Sequence, residues 1–154
     1  MLGLAFHHIG VACSDISAAT EYVKAAYDIV SDSGTVHDPE QNADLRLFNE
    51  GSPGAIELVS GPIVASLLSR RTSYYHICYT TPDIRDTLQR ARALGAIPVG
   101  PPKPAVLFQG RLVAFVYTPL GLVEFLETGG EPRIAPGPAP RHAIEPEIPE
   151  ENAY

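Results

Sequence analysis

Phe-His-His-Ile-Gly-Val at residues 6–11 and Tyr-Tyr-His-Ile-Cys-Tyr at residues 74–79 are two versions of one apolar strand that carries a histidine. Each is followed, after a similar length of chain, by an apolar strand that carries a glutamate: Ala-Ile-Glu-Leu-Val-Ser at 55–60 and Leu-Val-Glu-Phe-Leu-Glu at 122–127. The pattern predicts two matching halves, each opening with His8 or His76 and closing with Glu57 or Glu124.

The match between the halves extends beyond these four strands. Aligning His8 with His76 also aligns Asp15 with Asp83, and nearly the same offset brings Glu57 onto Glu124. Two copies of a long unit indicate duplication of one compact supersecondary motif and not a stacked solenoid. The order of the elements in each copy predicts an α+β fold made of two tandem βαβββ modules.

The first module is predicted at residues 4–61. A strand at 5–13 precedes a helix capped by Ser14 or Asp15, because short polar side chains satisfy the free backbone N–H groups of a helix start. Turn residues then separate strands expected near 29–37, 43–49 and 55–60.

The second module, at 74–128, repeats this order. A strand at 74–80 leads to a helix that we expect to start at Thr81-Pro82 and to end at Gly95. Strands near 96–100, 111–118 and 121–127 complete it. A short linking helix is predicted at 62–73, and the segment 129–154, rich in proline and acidic residues, is expected to be a disordered tail.

Composition limits the class of partner. The 154 residues carry a net charge of -7 without a cluster of basic residues, which argues against a nucleic-acid or anionic-membrane surface. No apolar run reaches membrane-spanning length and no signal-peptide pattern is visible, so we expect a cytoplasmic protein with a small-molecule substrate. Cys13 and Cys78 occupy different places in the two halves and are expected to be free, buried thiols.

Two glutamates lie in strands that otherwise read as buried. An unpaired buried carboxylate is costly, so Glu57 and Glu124 must be paired, protonated or bound to a metal. A single histidine in an apolar strand is more often a hydrogen-bonded core residue than a ligand. Two histidines and two glutamates at matched places favour one divalent ion, with Ni, Co, Zn, Mn and Fe all suitable.

These motifs resemble the vicinal-oxygen-chelate superfamily over residues 4–128, in particular its glyoxalase I and methylmalonyl-CoA epimerase branch. The resemblance implies a curved, eight-stranded partial barrel, the glyoxalase/bleomycin-resistance fold, whose concave face holds the ion. It implies His8, Glu57, His76 and Glu124 as the metal ligands, with His7 on the opposite face of its strand. We expect a homodimer as well, since an open sheet leaves strand edges to cover.

The resemblance also implies the chemistry. A metal-dependent isomerase, epimerase or lyase removes a proton next to a carbonyl of a small oxygenated substrate, such as an acyl-CoA or an α-keto compound, and Glu124 or Glu57 is the expected catalytic base. The chain departs from the epimerase pattern at two places: Glu57 stands near the position of a family glutamine, and Arg46 falls where a further catalytic glutamate is expected.

Further residues are candidates for substrate binding. An arginine facing the cavity clamps a carboxylate or phosphate through paired hydrogen bonds, so Arg46 is one candidate, and a solvated surface arginine is the alternative. The others are Tyr74, Tyr117 and Arg111, the last in a loop expected over the cavity mouth. A metal-independent protein that sequesters a ligand, as in antibiotic resistance, and an iron-dependent dioxygenase remain as alternative functions.

Overall fold

The computed structural model describes residues 1–129, so the predicted tail lies, apart from its first residue, outside the described residues. The first module contains β1 (Ala5–Ala12), α1 (Ile16–Ala26), β2 (Val36–Asp38), β3 (Ala43–Phe48) and β4 (Ile56–Ser60). A 3-10 turn (Pro62–Val64) and α2 (Ala65–Ser69) connect it to the second module. That module contains β5 (Tyr74–Thr81), α3 (Ile84–Ala93), β6 (Ile97–Pro98), β7 (Lys103–Pro104), a 3-10 turn (Val106–Phe108), β8 (Leu112–Thr118) and β9 (Gly121–Glu127).

The strands form one mixed sheet in the order β2-β3-β4-β1-β5-β9-β8-β6, with β7 on the side of β8. Within each module the histidine strand pairs in parallel with the glutamate strand, β1 with β4 and β5 with β9. The two modules join where β1 and β5 run antiparallel. The α+β fold of two βαβββ modules is confirmed, with β7 as a ninth strand where eight were expected.

The two longer helices, α1 and α3, cover the same side of the sheet and begin in the same way. The Asp15 carboxylate accepts hydrogen bonds from the backbone N–H groups of Ser17 and Ala18 at 2.9 and 3.0 Å, and Asp83 caps α3 equally. Such a cap stabilises a helix by about 1 kcal/mol. The expected start of α3 at Thr81-Pro82 is wrong, because the cap at Asp83 sets the first turn at Ile84.

Other boundaries differ where loops replace strands. The strand expected near 29–37 is confined to Val36–Asp38. Residues before it are held as a loop because the Asn49 side chain accepts from the Val30 N–H at 2.8 Å and donates to the Asp28 carbonyl at 3.0 Å. The strand near 96–100 is likewise reduced to Ile97–Pro98. The linking helix ends at Ser69.

A pair of β-bulges interrupts the junction of the two modules. Opposite residues are Phe6 and Tyr79, then His8 and Cys78, so His7 is an extra residue on β1. Two residues after His8, Gly10 faces His76 while Val11 faces Tyr74, which makes Tyr75 an extra residue on β5. Because a bulge shifts the alternation of side chains by one position, the residue before each ligand histidine joins that histidine on the concave side.

The expected position of His7 is therefore wrong. Its Nδ1 atom lies 2.8 Å from Nδ1 of His8, and the Phe108 ring contacts both imidazoles with centroid distances of 5.5 and 5.8 Å. The two rings thus share one face of the sheet. The bulge at this position is the physical reason.

Both cysteines are free, as expected. Cys78 is buried in the concave core, whereas Cys13 is only half-buried. Within residues 1–129, none of the helices has the length and apolar character needed to cross a membrane. The sheet has open edges at β2 and β6 in the described part of the chain. The homodimer stays a prediction.

Candidate metal centre

Four adjacent strands of the sheet, β4, β1, β5 and β9, bring four polar side chains to one point on the concave face. The residues are Glu57, His8, His76 and Glu124, and none of them is more than 4% exposed. One nitrogen or oxygen from each lies within 4.8 Å of the others. The four residues that the alignment of the two halves predicts as ligands therefore lie together in the structure.

The distances within this quartet are short and nearly equal. Nε2 of His8 lies 3.1 Å from Glu57 Oε2, 3.1 Å from His76 Nε2 and 3.3 Å from Glu124 Oε2. Nε2 of His76 lies 3.1 and 3.2 Å from the same two oxygens. Ligands about 2.1 Å from one ion are separated by roughly 3.0 Å at neighbouring octahedral positions and 3.4 Å on a tetrahedron. The quartet therefore fits a divalent ion.

Hydrogen bonding alone leaves part of the quartet unsatisfied. Within the described residues, Glu124 Oε2 is buried and has no hydrogen-bond partner, although both imidazoles lie beside it. The two Nε2 atoms also face each other, and each ring has at most one proton there. A cation at the centre satisfies all four donor atoms, and neutral imidazoles with ionised carboxylates suit divalent ions such as Ni, Co, Zn, Mn or Fe.

The charges of the quartet balance. Burial opposes a charged imidazole, but the adjacent carboxylates of Glu124 and Glu57 raise the pKa of His76 to about 10 and also raise the pKa of His8. Burial opposes ionisation of the carboxylates, yet the two imidazoles lower the pKa of Glu57 and of Glu124. Two imidazolium charges offset two carboxylates, and one divalent ion does the same while displacing two protons.

Gly10 makes room for one of the ligands. The His76 imidazole lies directly over Gly10, and a β-carbon at this position would overlap the ring. The requirement for glycine is steric here. Without a side chain at position 10, β1 and β5 approach closely enough for His76 to reach the other three donor atoms.

Cys78 lies next to the centre without belonging to it. Its sulfur lies within 4.8 Å of one ring nitrogen of His7 and one ring nitrogen of His8. Burial, and then the charge of Glu124, raises the pKa of the Cys78 thiol well above its usual value. The group of four donors that includes Glu57, His76 and Glu124 does not include this sulfur.

A cavity of about 510 Å³ opens on the second-module side of the quartet. Its inner wall includes Tyr75 and Phe115, whose rings contact the His76 imidazole with centroid distances of 4.8 and 5.4 Å. Phe115 is also the cross-strand neighbour of Glu124. At the outer end, Lys103 forms an ion pair with Glu40 at 3.3 Å. The volume is that of a small-molecule site.

The predicted substrate-binding residues are dispersed. Tyr117 lines the cavity, and Tyr74 lines a neighbouring groove between α2 and the β8–β9 turn. Arg111 lies on the other side of the quartet, where its guanidinium is 3.5 Å from Glu50 and stacks over Phe108.

Arg46 does not face the cavity, so that expectation is wrong. Its guanidinium donates to both carboxylate oxygens of Asp32, at 2.8 and 2.6 Å, and lies over the Phe48 ring. Leu45 and Leu47 belong to the concave core, and alternation along β3 directs Arg46 to the helix-covered face.

Sequence reasoning missed the two aromatic residues of the inner wall. Phe115 is detectable from the sequence, because it shares one face of β8 with Val113 and Tyr117. The tight turn before β9 then sets it opposite Glu124. Tyr75 is not detectable in this way, because its orientation depends on the bulge.

The chain belongs to the glyoxalase/bleomycin resistance protein/dioxygenase superfamily, whose family model matches residues 7–115. A hypothetical protein from Bacillus halodurans has a similar structure, with a TM-score of 0.70 and 22% identity over 84% of this chain and 97% of that one. Comparison with curated proteins finds no significant match.

Two methylmalonyl-CoA epimerases are also similar in structure. A variant of the Streptomyces coelicolor enzyme, in complex with 2-nitronate-propionyl-CoA, has a TM-score of 0.65 and 20% identity, covering 82% of this chain and 95% of that one. The Mycobacterium tuberculosis enzyme has a TM-score of 0.65 and 19% identity, covering 79% and 86%. At these identities the likeness shows a shared fold.

Proposed function

We propose that the protein is a metal-dependent isomerase or epimerase that moves a proton on the carbon next to a carbonyl group. The observation that carries this proposal is the convergence of four buried donors from four adjacent strands at 3.1–3.3 Å. His8, Glu57, His76 and Glu124 hold one divalent ion of the Ni, Co, Zn, Mn or Fe group. When bound, the ion supplies Lewis acidity that stabilises negative charge on a carbonyl oxygen.

Glu124 is the proposed catalytic base. Its Oε2 atom lies 3.2–3.3 Å from both imidazoles without a hydrogen bond in the described residues, whereas Oε2 of Glu57 pairs with His8 at 3.1 Å. Glu124 also lies beside Phe115, at the inner wall of the cavity. The quartet itself does not line the cavity, so a substrate must reach past Phe115 and Tyr75 for the Glu124 carboxylate to accept a proton from its carbon.

Glu57 is the proposed second proton carrier. In the sheet order the glutamate strands β4 and β9 flank the histidine strands β1 and β5. The two carboxylates therefore approach the centre from opposite sides. Epimerisation requires removal of a proton from one face of a carbon and its return to the other, and this arrangement provides one carboxylate for each face.

The cavity supports a small oxygenated substrate with an apolar portion. Its wall near the centre is formed by Tyr75, Phe115 and Leu122, while Lys103 and Tyr117 offer polar atoms further out. The binding of 2-nitronate-propionyl-CoA by a structural neighbour supports an acyl thioester. We propose Tyr117 as a substrate contact. Arg111 and Tyr74, which lie outside the cavity lining, are proposed only as contacts for a substrate that extends beyond it.

A lyase is the second candidate. The presence of both glutamates at the centre favours it, because the ligand types are those of the glyoxalase I branch that the chain resembles. The substrate then is an α-ketoaldehyde adduct in place of an acyl thioester.

Metal analysis combined with proton–deuterium exchange tests the proposal. Purified protein should carry about one divalent ion per chain and should exchange the α-proton of at least one acyl thioester, α-ketoaldehyde adduct or keto sugar. Removal of the ion with a chelator should stop the exchange, and addition of the ion should restore it. Full exchange by the metal-free protein contradicts the proposal, and tight ligand binding without exchange or product, unaffected by chelator, identifies a sequestering protein.

A further inference from the structure

We propose that His7 is a positioning residue of the metal centre: it accepts the Nδ1 proton of His8 and thereby turns the Nε2 lone pair of His8 toward the ion. The inference rests on the proposed function in one respect, that the quartet holds a divalent ion.

The two nitrogens of His8 have different surroundings. Nε2 faces Glu57, His76 and Glu124, while Nδ1 lies 2.8 Å from Nδ1 of His7. At this distance one proton lies between the two ring nitrogens. A neutral imidazole has one N–H, so a proton on Nδ1 of His8 leaves Nε2 as the coordinating atom. A hydrogen bond at the second nitrogen generally fixes the tautomer and orientation of a metal-binding histidine.

The surroundings of His7 suit it to accept this proton. Its Nε2 atom lies 3.5 Å from a carboxylate oxygen of Glu50, and the Arg111 guanidinium approaches the same oxygen at 3.5 Å. A carboxylate at this position favours a proton on Nε2 of His7, which leaves Nδ1 as an acceptor. Phe108 packs edge-on against the His7 ring at 5.5 Å and limits its rotation.

The second module has no such device. Tyr75 occupies the matching bulge before His76, and its ring forms the cavity wall. Within the described residues, Nδ1 of His76 is buried without a hydrogen-bond partner. One of the two ligand histidines is therefore supported by the chain and the other is not, and Tyr75 provides a matched control position.

Two substitutions at position 7 separate the acceptor from the packing. His7→Phe keeps an aromatic ring against Phe108 and removes the acceptor. His7→Asn places an amide oxygen near the position of the imidazole Nδ1 and restores it. Tyr75→Phe removes a polar atom at the matching bulge without touching a ligand nitrogen. All three are compared with the wild type in the full chain.

Zn²⁺ affinity is measured by competition with a chromophoric chelator, and long-range ¹⁵N–¹H correlation spectra of the Zn²⁺-loaded protein report which nitrogen of His8 is protonated. We expect His7→Phe to weaken Zn²⁺ binding about 10–100-fold and to abolish the protected Nδ1–H signal of His8. His7→Asn should recover most of the affinity and the signal. Tyr75→Phe should bind Zn²⁺ within about twofold of the wild type, because His76 has no partner to lose.

The outcomes distinguish failure of the two proposals. Failure of the wild type to bind any of Zn²⁺, Ni²⁺, Co²⁺, Mn²⁺ or Fe²⁺ overturns the metal centre and this inference together. Wild-type affinity in a folded His7→Phe variant overturns the inference alone, as does equal weakness of His7→Asn and His7→Phe. Thermal unfolding checks that each variant is folded. If the Phe variant is not, the wild type remains decisive, because absence of a protected Nδ1–H signal of His8 in its Zn²⁺-loaded form overturns the inference alone.

Discussion

The two modules place the same ligands on the same strands but surround them differently. Each supplies one histidine and one glutamate, each starts its helix with an aspartate cap, and each has a bulge directly before its histidine. In the first module the bulge residue is His7, whose Nδ1 atom lies 2.8 Å from Nδ1 of His8. In the second it is Tyr75, which borders the cavity. The repeated features build the candidate metal centre, and we expect the features that are not repeated to determine its chemistry.

The packing of side chains on the concave face also differs between the two modules. On the first-module side, Leu107 and Phe108 from the segment before β8 enter the core, and Phe108 covers His7 and His8. On the second-module side, Phe115 and Tyr75 leave a cavity next to His76. Substrate access is therefore expected at the histidine without a supporting partner.

Substitution of the two glutamates should reveal the largest difference between the two modules. Glu124→Gln should lower turnover about 10²–10⁴-fold, because it removes the carboxylate proposed as base. Glu57→Gln should retain α-proton exchange within about tenfold of the wild type at saturating metal, because Glu124 still removes and returns the proton on one face, while inversion through the other face is lost. Initial rates of α-proton exchange at saturating metal measure both.

Circular dichroism and metal content serve as controls for these variants. Equal losses of turnover in folded, metal-saturated Glu124→Gln and Glu57→Gln would show that the carboxylates act as equivalent partners, and the assignment of Glu124 as the base would then be wrong.

The residues two positions after the ligand histidines provide a second test. Gly10→Ala should weaken metal binding by at least about tenfold, because the new methyl group overlaps the His76 ring and overpacking of this kind costs about 1–3 kcal/mol. The matching residue in the second module is Cys78. Cys78→Ala only shortens a side chain, so it should keep metal affinity within about twofold while lowering the free energy of unfolding by about 1 kcal/mol.

Isothermal titration with Ni²⁺ or Zn²⁺ compares the two variants. Unchanged affinity in folded Gly10→Ala would mean that His76 relaxes freely, and the close contact at the module junction would then have no role in assembling the centre.

The smallest expected effect concerns an ion pair that only the first module has. Hydrogen bonds from Arg46 lower the pKa of Asp32 well below its usual value, and the matching positions in the second module are Gly100 and Ala114. A folded-state pKa below the unfolded value of about 3.9 means that the stabilisation is present above that pH and is lost as the pH falls further. The pair is partly solvated, so the effect should be at most about 1 kcal/mol.

Urea unfolding at pH 7, 5, 4 and 3 measures this contribution. Arg46→Met should be less stable than the wild type at pH 7, and the difference should shrink toward pH 3. Asp86→Asn, which disrupts an exposed ion pair with Arg90 on α3, is the control and should change stability by less than about 0.5 kcal/mol. A pH-independent difference for Arg46→Met would indicate that its packing on Phe48 matters and the charge does not.

The sequence was sufficient to predict which four polar side chains lie together on the concave face, and the order of the elements. Glutamates between apolar neighbours, repeated at nearly the spacing of the histidines, have few explanations other than a shared polar site. The aspartate caps and the alternation in β3, β4, β8 and β9 are local sequence patterns. Such patterns usually agree with the final structure, because local preferences in natural sequences support the global fold. Glu57 and Glu124 lie where the repeat predicts.

The bulges could not be predicted in the same way. Alternation assigns faces correctly only while strands pair residue for residue, and a single unpaired residue reverses every later assignment. Neither His7 nor Tyr75 has a composition signal for a bulge. Arg46 is a different case, since its own neighbours Leu45 and Leu47 already indicate that it lies on the face opposite the core.

The antiparallel junction of β1 and β5 also has a consequence for stability. Each module contributes only half of a coordination shell, so a bound ion is a crosslink between two halves that share no disulfide within the described residues. At a free metal concentration 1,000 times the Kd, this crosslink adds about 4 kcal/mol to the folded state. Thermal stability then reports metal loading. A substitution in either module that weakens metal binding also destabilises the junction between β1 and β5.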